Sequence, residues 1–259
     1  MKSIYFFLAA LLLTVTSCNN RFYAPALYQN DVSYLPKPST FDSSKSATYI
    51  SIGGGFNQTV NSSNSVSFGE LNISEGHNFG TANLSYGMFG SLGAIDNSNH
   101  DNEKSDPNSF ASKNFGALGG RAAFNFNKAM DNVNFRFFGV EAAYSREFGD
   151  FAAYRRQVAL LPNYNAITRT EMLTLGATSE ILWHSPNNKN TQHALRGFIG
   201  KTFGDFSQVR SNLSEYTPNI PLYLTVSYYA KFDQFWGAAE LTKNDVSIPG
   251  FRIKMGYRF

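Results

Sequence analysis

Four groups of residues in this chain have types and spacings that could do chemistry. The four histidines, His77, His100, His184 and His193, could act as general bases only beside a nucleophile and an orienting acid. The strand pattern derived below brings no Ser/His/acid set together. The chain is therefore read as non-enzymatic, with no catalytic residue and no cofactor. The run Asp96-Asn-Ser-Asn-His-Asp101-Asn-Glu103 sets hard oxygen ligands at alternate positions, as calcium favours. It lacks the central glycine and distal glutamate of a calcium loop, so it reads as a solvated loop and no metal site is assigned. Tyr154-Arg155-Arg156 carries guanidinium groups that suit bidentate phosphate contacts. Its apolar neighbours Val158–Leu161 suit a loop folded over the molecule equally well. The last group is ionic: Arg121, Glu141, Glu180, Arg196, Glu240, Arg252, Lys254 and Arg258. Each lies on the polar face of an alternating segment.

The nine final residues show what such segments are. Phe251, Ile253, Met255, Tyr257 and Phe259 share one face of an extended strand, and Arg252, Lys254, Gly256 and Arg258 share the other. A cationic face does not enter a protein core without partners, and five large apolar groups do not belong in water. A transmembrane barrel resolves both, with apolar side chains meeting lipid and polar ones meeting the lumen. The predicted fold is all-β, an antiparallel up-and-down transmembrane β-barrel of about ten strands, with eight possible. The segments are Thr48–Phe56, Ser65–Ile73, Phe79–Ser91, Asn114–Asn127, Val133–Glu147, Glu171–Trp183, His193–Phe203, Leu222–Lys231, Gln234–Lys243 and the terminal nonapeptide. Connections between them alternate long and short, as external loops and periplasmic turns do. An even strand number puts both ends of the barrel in the periplasm. In a narrow barrel the eight ionic residues pair across the lumen and close it more readily than they line a wide channel.

The 259 residues hold 15% aromatics, 16% charged residues and 21 glycines, at a net charge of +3. That charge is too small, and too scattered, for nucleic-acid binding. Lys2 precedes an apolar run, Ile4–Leu13, too short to cross a bilayer as a helix and suited to a cleaved leader. Val15-Thr16-Ser17-Cys18 follows, and Cys18 is the sole cysteine, so no disulfide exists. Residues 19–46 contain Pro25, Pro36 and Pro38 and read as a tether. The expected division is a lipoprotein signal peptide at 1–17, a periplasmic tether at 18–46 and a barrel at 47–259.

Residues 13–18 resemble a lipobox, which implies cleavage before Cys18 and its acylation. Tyr257 and Phe259 resemble the C-terminal insertion signal of outer-membrane barrels, which implies recognition by the barrel-assembly machinery. With Phe22-Tyr23-Ala24-Pro25 and the successive strands, the chain resembles the small outer-membrane β-barrel lipoproteins of Bacteroidota. Surface-exported lipoproteins of that group carry acidic residues just after the cysteine. Here Asn19, Asn20, Arg21 and Phe22 stand there, which implies an anchor in the periplasmic leaflet. Omptin-type barrel proteases need paired aspartates and an Asp-His couple, and no Asp-x-His occurs. The expected function is a structural, adhesion or complex-subunit role in the outer membrane. A narrow channel for ions or small solutes is the first alternative, and a barrel enzyme acting on outer-leaflet lipid or peptide the second. Expected partners are outer-membrane lipids, the assembly machinery and an unidentified envelope protein.

Overall fold

The computed structural model describes residues 21–58, 64–98, 100, 106–161, 164–186, 188–203, 222–243 and 249–259. Cys18 lies outside them, as do Asp101 and Glu103 of the calcium-like run. The elements are β1 (Arg21–Tyr23), β2 (Ser46–Gln58), β3 (Asn64–Asn78), β4 (Ala82–Asn97), β5 (Ser112–Met130) and β6 (Val133–Phe148). They continue with α1 (Asp150–Val158), β7 (Tyr164–Ala166), β8 (Glu171–Ser185), β9 (Asn188–Phe203), β10 (Leu222–Phe232), β11 (Phe235–Lys243) and β12 (Gly250–Arg258). Ten of these strands close a barrel in which each pairs antiparallel with its chain neighbour and β12 closes onto β2. The eight-strand alternative is thereby excluded. β3, a weak signal in sequence, is a full 15-residue wall strand.

Alternation drives the wall. In β10, Leu222, Leu224, Val226 and Tyr228 are exposed while Tyr223, Thr225, Ser227 and Tyr229 are buried. The terminal strand does the same, with Phe251, Ile253 and Met255 outside and Arg252 and Lys254 inside. Exposed apolar side chains recur outward around the ring, including Ile52, Leu71, Met88, Leu118, Val140 and Leu241. A continuous apolar belt of this kind needs hydrocarbon around it. Exposed aromatics flank the belt. Phe79, Phe126, Phe137, Phe232, Phe235 and Phe259 lie at one end, and Phe56, Phe148, Phe203 and Phe251 lie at the other.

The two ends differ in their connections. One carries the short connections 79–81, 131–132, 186–187 and 233–234. Gly80 takes a φ of 88° and Asp233 a φ of 54° to make two of these bends. The other end carries every longer connection, including the one that contains α1 and β7. These are called the turn end and the loop end below. β6 contains a bulge between Arg136 and Gly139. Phe137 and Phe138 both face outward there, so Arg136 turns inward out of phase with the strand beyond the bulge.

The expected tether is a different object. Residues 23–38 are buried, and they run down the inside of the barrel from the loop end to the start of β2. β1 pairs in parallel with β7, so the described chain begins at the loop end. This segment is a plug and not a periplasmic linker.

Candidate functional site: the plugged lumen

A chain without regular structure carries unpaired backbone groups, and burying them is costly unless partners are supplied. Here the wall supplies them. The Arg121 side chain donates from Nε to the Asp31 carbonyl at 2.7 Å. Arg252 donates to the carbonyls of Val32, at 3.2 Å, and Asn30. Lys254 Nζ donates to the Tyr34 carbonyl at 2.8 Å. Arg136 reaches the carbonyl of Pro38 at 3.3 Å. In the other direction, Glu240 accepts from the Tyr34 amide at 3.0 Å and from the Ser33 hydroxyl. Glu147 accepts from the Ala26 amide. Pro25, Pro36 and Pro38 have no amide to satisfy, which reduces what the wall must provide.

Side chains of the plug also key into the wall. Asp31 accepts from Thr174 at 2.7 Å and Ser145 at 3.4 Å. The Tyr34 hydroxyl donates to Glu180 at 2.6 Å, and its ring stacks on Tyr229 with centroids 4.9 Å apart. Lys37 Nζ donates to Asn125 at 2.8 Å and sits 3.7 Å from Glu180. At the turn end Asp42 binds Lys231, Arg258 at 2.8 Å and Gln192 at 3.0 Å. Burial disfavours the Asp42 carboxylate, but Lys231 and Arg258 outweigh it and hold its pKa below the usual carboxylate range. Its stabilising effect is therefore present above an unfolded pKa of about 3.9 and is lost as the pH falls through its lower folded value.

The described residues of the loop end form an apolar seal against the plug. Tyr23 sits with its ring centroid 6.0 Å from Phe110 and 5.4 Å from Tyr154, and it stacks on Tyr164. Ala24, Ala26 and Leu27 join Phe68, Phe89, Phe115, Phe151 and Val158 in one buried cluster. α1 belongs to this seal. Arg155 is fully buried, donates to Glu147 at 2.6 Å and also binds the carbonyl of Ile167. The phosphate-binding reading of Tyr154-Arg155-Arg156 is thus corrected for its first two members. Tyr154 and Arg155 hold the cap together, and only Arg156 is exposed.

Of the eight ionic residues singled out in sequence, seven are buried in the lumen and Arg258 lies half-covered at its turn end. They form particular pairs. Arg196 binds Glu141 and lies 3.7 Å from Glu240. Arg121 clasps Glu70 through two bonds, at 2.8 and 2.7 Å. Arg136 binds Glu180 at 2.8 Å. Glu70, Arg136, Asp31, Tyr34 and Lys37 belong to the same network and were not among the eight. Glu70 sits in the strand of weakest signal, and uniform alternation along β6 would put Arg136 outside, whereas the bulge after it brings it inside. Tyr257 and Phe259 lie at the turn-end rim, their rings 4.9 Å apart. His77 and His193 face outward beside Tyr86 and Tyr228, and His100 bonds Ser109 at 3.2 Å.

No family model matches the sequence, and no curated protein matches it. Among solved structures, the chain is similar to a KdgM porin at 12% identity, over 82% of this chain and 99% of that one, with a TM-score of 0.31. It is also similar to the translocator domain of the autotransporter NalP from Neisseria meningitidis, at 11% identity, 83% and 88% coverage and a TM-score of 0.39. A TodX monoaromatic hydrocarbon channel variant matches at 12% identity, 85% and 69% coverage and a TM-score of 0.35. Likenesses at this level carry no function across. The barrel assignment rests on the strand pairing of this chain.

Eight strands leave an interior that side chains alone fill, so ten leave more room. One irregular chain, with a turn at residues 26–29, occupies it here. Gly76, on the inner face of β3, marks the fit. A Cβ there would meet Pro38 Cδ at 2.8 Å and Lys37 Cα at 3.1 Å, so the missing side chain makes space for the plug.

Proposed function

We propose that this protein is a lipoprotein barrel of the bacterial outer membrane, acylated at Cys18. Its role is non-catalytic, as a structural, adhesion or complex-subunit component that presents its loops to the exterior. The apolar belt and the two aromatic girdles support the membrane. The length difference between the two sets of connections supports an outward-facing loop end and a periplasmic turn end. The observation that carries the role is the filled lumen. Its polar wall is spent on the carbonyls, amides and side chains of residues 26–42, which disfavours a solute conduit. The described residues of the loop end pack with the plug into one apolar cluster, which suits a platform better than a mouth.

Two measurements test this. The purified full-length barrel in a planar bilayer should be electrically silent, and discrete openings of the unaltered chain would revive the channel reading. Metabolic labelling with an alkyne fatty acid should mark the protein and fail on a Cys18→Ser variant; equal labelling of both would remove the lipoprotein assignment.

A further inference from the structure

The plug has a direction, and that direction places the amino-terminal end of the mature chain. β1 pairs with β7, which lies between α1 and β8 in the longest described connection of the loop end. Tyr23 is locked among Phe110, Tyr154 and Tyr164, all from loop-end connections. The opposite end of the plug is held at the turn end by Asp42, through Lys231 and Arg258. The segment therefore spans the barrel from one rim to the other.

We infer that the chain leaves the barrel at the loop end, so that the acylated Cys18 inserts into the outer leaflet and not the periplasmic one. This rests on the proposed outer-membrane barrel with its loops outside and Cys18 acylated. Reach decides it. Cys18 stands three positions before Arg21, and an extended chain covers at most about 3.5 Å per residue step, so the acylated residue lies within about 10 Å of the β1–β7 ladder. The apolar band of a barrel is about 25 Å tall. Three residues cannot return across it along the outer wall, and the lumen is already occupied. The absence of acidic residues after Cys18 implied the periplasmic leaflet; the threaded path argues against that placement. The protein then carries two anchors on one body, a ring of strands through both leaflets and an acyl group beside its own external loops. A lipid on the far side of a filled lumen also requires the segment to be in place before β12 closes onto β2.

The test is cysteine labelling of intact cells with a membrane-impermeant maleimide, in full-length chains that keep Cys18. Asn20→Cys is the probe position, Leu160→Cys in the loop-end connection is the outside control, and Asp131→Cys in a turn-end hairpin is the inside control. The expected result is that Asn20→Cys and Leu160→Cys label comparably in intact cells, while Asp131→Cys labels only after permeabilisation. If Leu160→Cys labels in intact cells but Asn20→Cys needs permeabilisation, the threaded exit is overturned and the barrel orientation stands. If Leu160→Cys is protected and Asp131→Cys labels, the orientation itself is wrong and the outer-leaflet anchor falls with it. If the unaltered chain labels in intact cells, Cys18 is a free thiol and the acyl anchor falls.

Discussion

Deleting residues 24–40 should convert a silent barrel into one that conducts ions. The deletion leaves Asp42 and the wall strands in place but removes the chain that fills the bore. Arg121, Arg252 and Lys254 lose the carbonyls of Asp31, Asn30, Val32 and Tyr34 as partners. Water must replace those partners, because a buried charged donor left unsatisfied costs on the order of 1–3 kcal/mol or more. A wetted, charged bore conducts. Among the described charged residues around the emptied bore, Arg121, Arg136, Arg155, Arg196, Lys231, Arg252, Lys254 and Arg258 outnumber Asp42, Glu70, Glu141, Glu147, Glu180 and Glu240, so the openings should favour anions. The recording is a planar-bilayer trace of the deletion beside the full chain, with heat-modifiable gel mobility confirming that both are folded. A milder variant separates plug displacement from loss of the segment. Gly76→Leu pushes a side chain against Pro38 and Lys37, and intermittent openings are expected from an otherwise intact chain. A folded deletion variant that stays silent would show that the plug does not close the bore.

Replacing Glu180 with leucine should be among the most destabilising single substitutions in the wall. Glu180 is completely buried and meets Arg136 at 2.8 Å, Lys37 at 3.7 Å and the Tyr34 hydroxyl at 2.6 Å. Leucine fills much of the volume but leaves two cations facing each other without a carboxylate. Removing one member of a buried pair costs about 3–5 kcal/mol, chiefly through the charge left behind. For a chain of this size that corresponds to a fall of about 10 °C in the temperature at which the gel band shifts. A Glu180→Leu/Arg136→Met double variant should recover part of the loss, because it removes the stranded guanidinium. Arg146→Ala provides the contrast. Its ion pair with Glu171 is 3.8 Å long and its side chain is 70% exposed, so its removal should cost less than about 0.5 kcal/mol. A Glu180→Leu change as mild as Arg146→Ala would mean that the lumen is wet and the network adds little.

The wall is legible in sequence because it obeys a single rule. Side chains that alternate between lipid and lumen leave a period of two, and this holds from Leu222 to Lys231 and from Phe251 to Phe259. It fails where the backbone breaks phase. The bulge after Arg136 turns an inward cation into an apparently outward one, and Phe137 and Phe138 into neighbours on one face. The plug escapes a sequence reading for a different reason. An irregular segment in a lumen has no period, so its polar and proline-rich composition looks like a linker. A signal is present nonetheless. Tyr23, Leu27, Tyr28, Val32, Tyr34 and Leu35 are too apolar for a solvated tether, and each is buried here. The ionic residues are identifiable one by one, but their partners are not. Sequence spacing does not show that Arg252 and Lys254 bind carbonyls of a segment more than two hundred residues away.

Residues 23–38 lie inside the ring of strands. Photo-crosslinking from position 34 tests this placement directly. A benzophenone amino acid in place of Tyr34, activated in native membranes, should attach to a wall peptide containing Tyr229, on which the Tyr34 ring stacks. Attachment to periplasmic proteins, with no wall peptide recovered, would show that the segment hangs free below the barrel and would contradict the account.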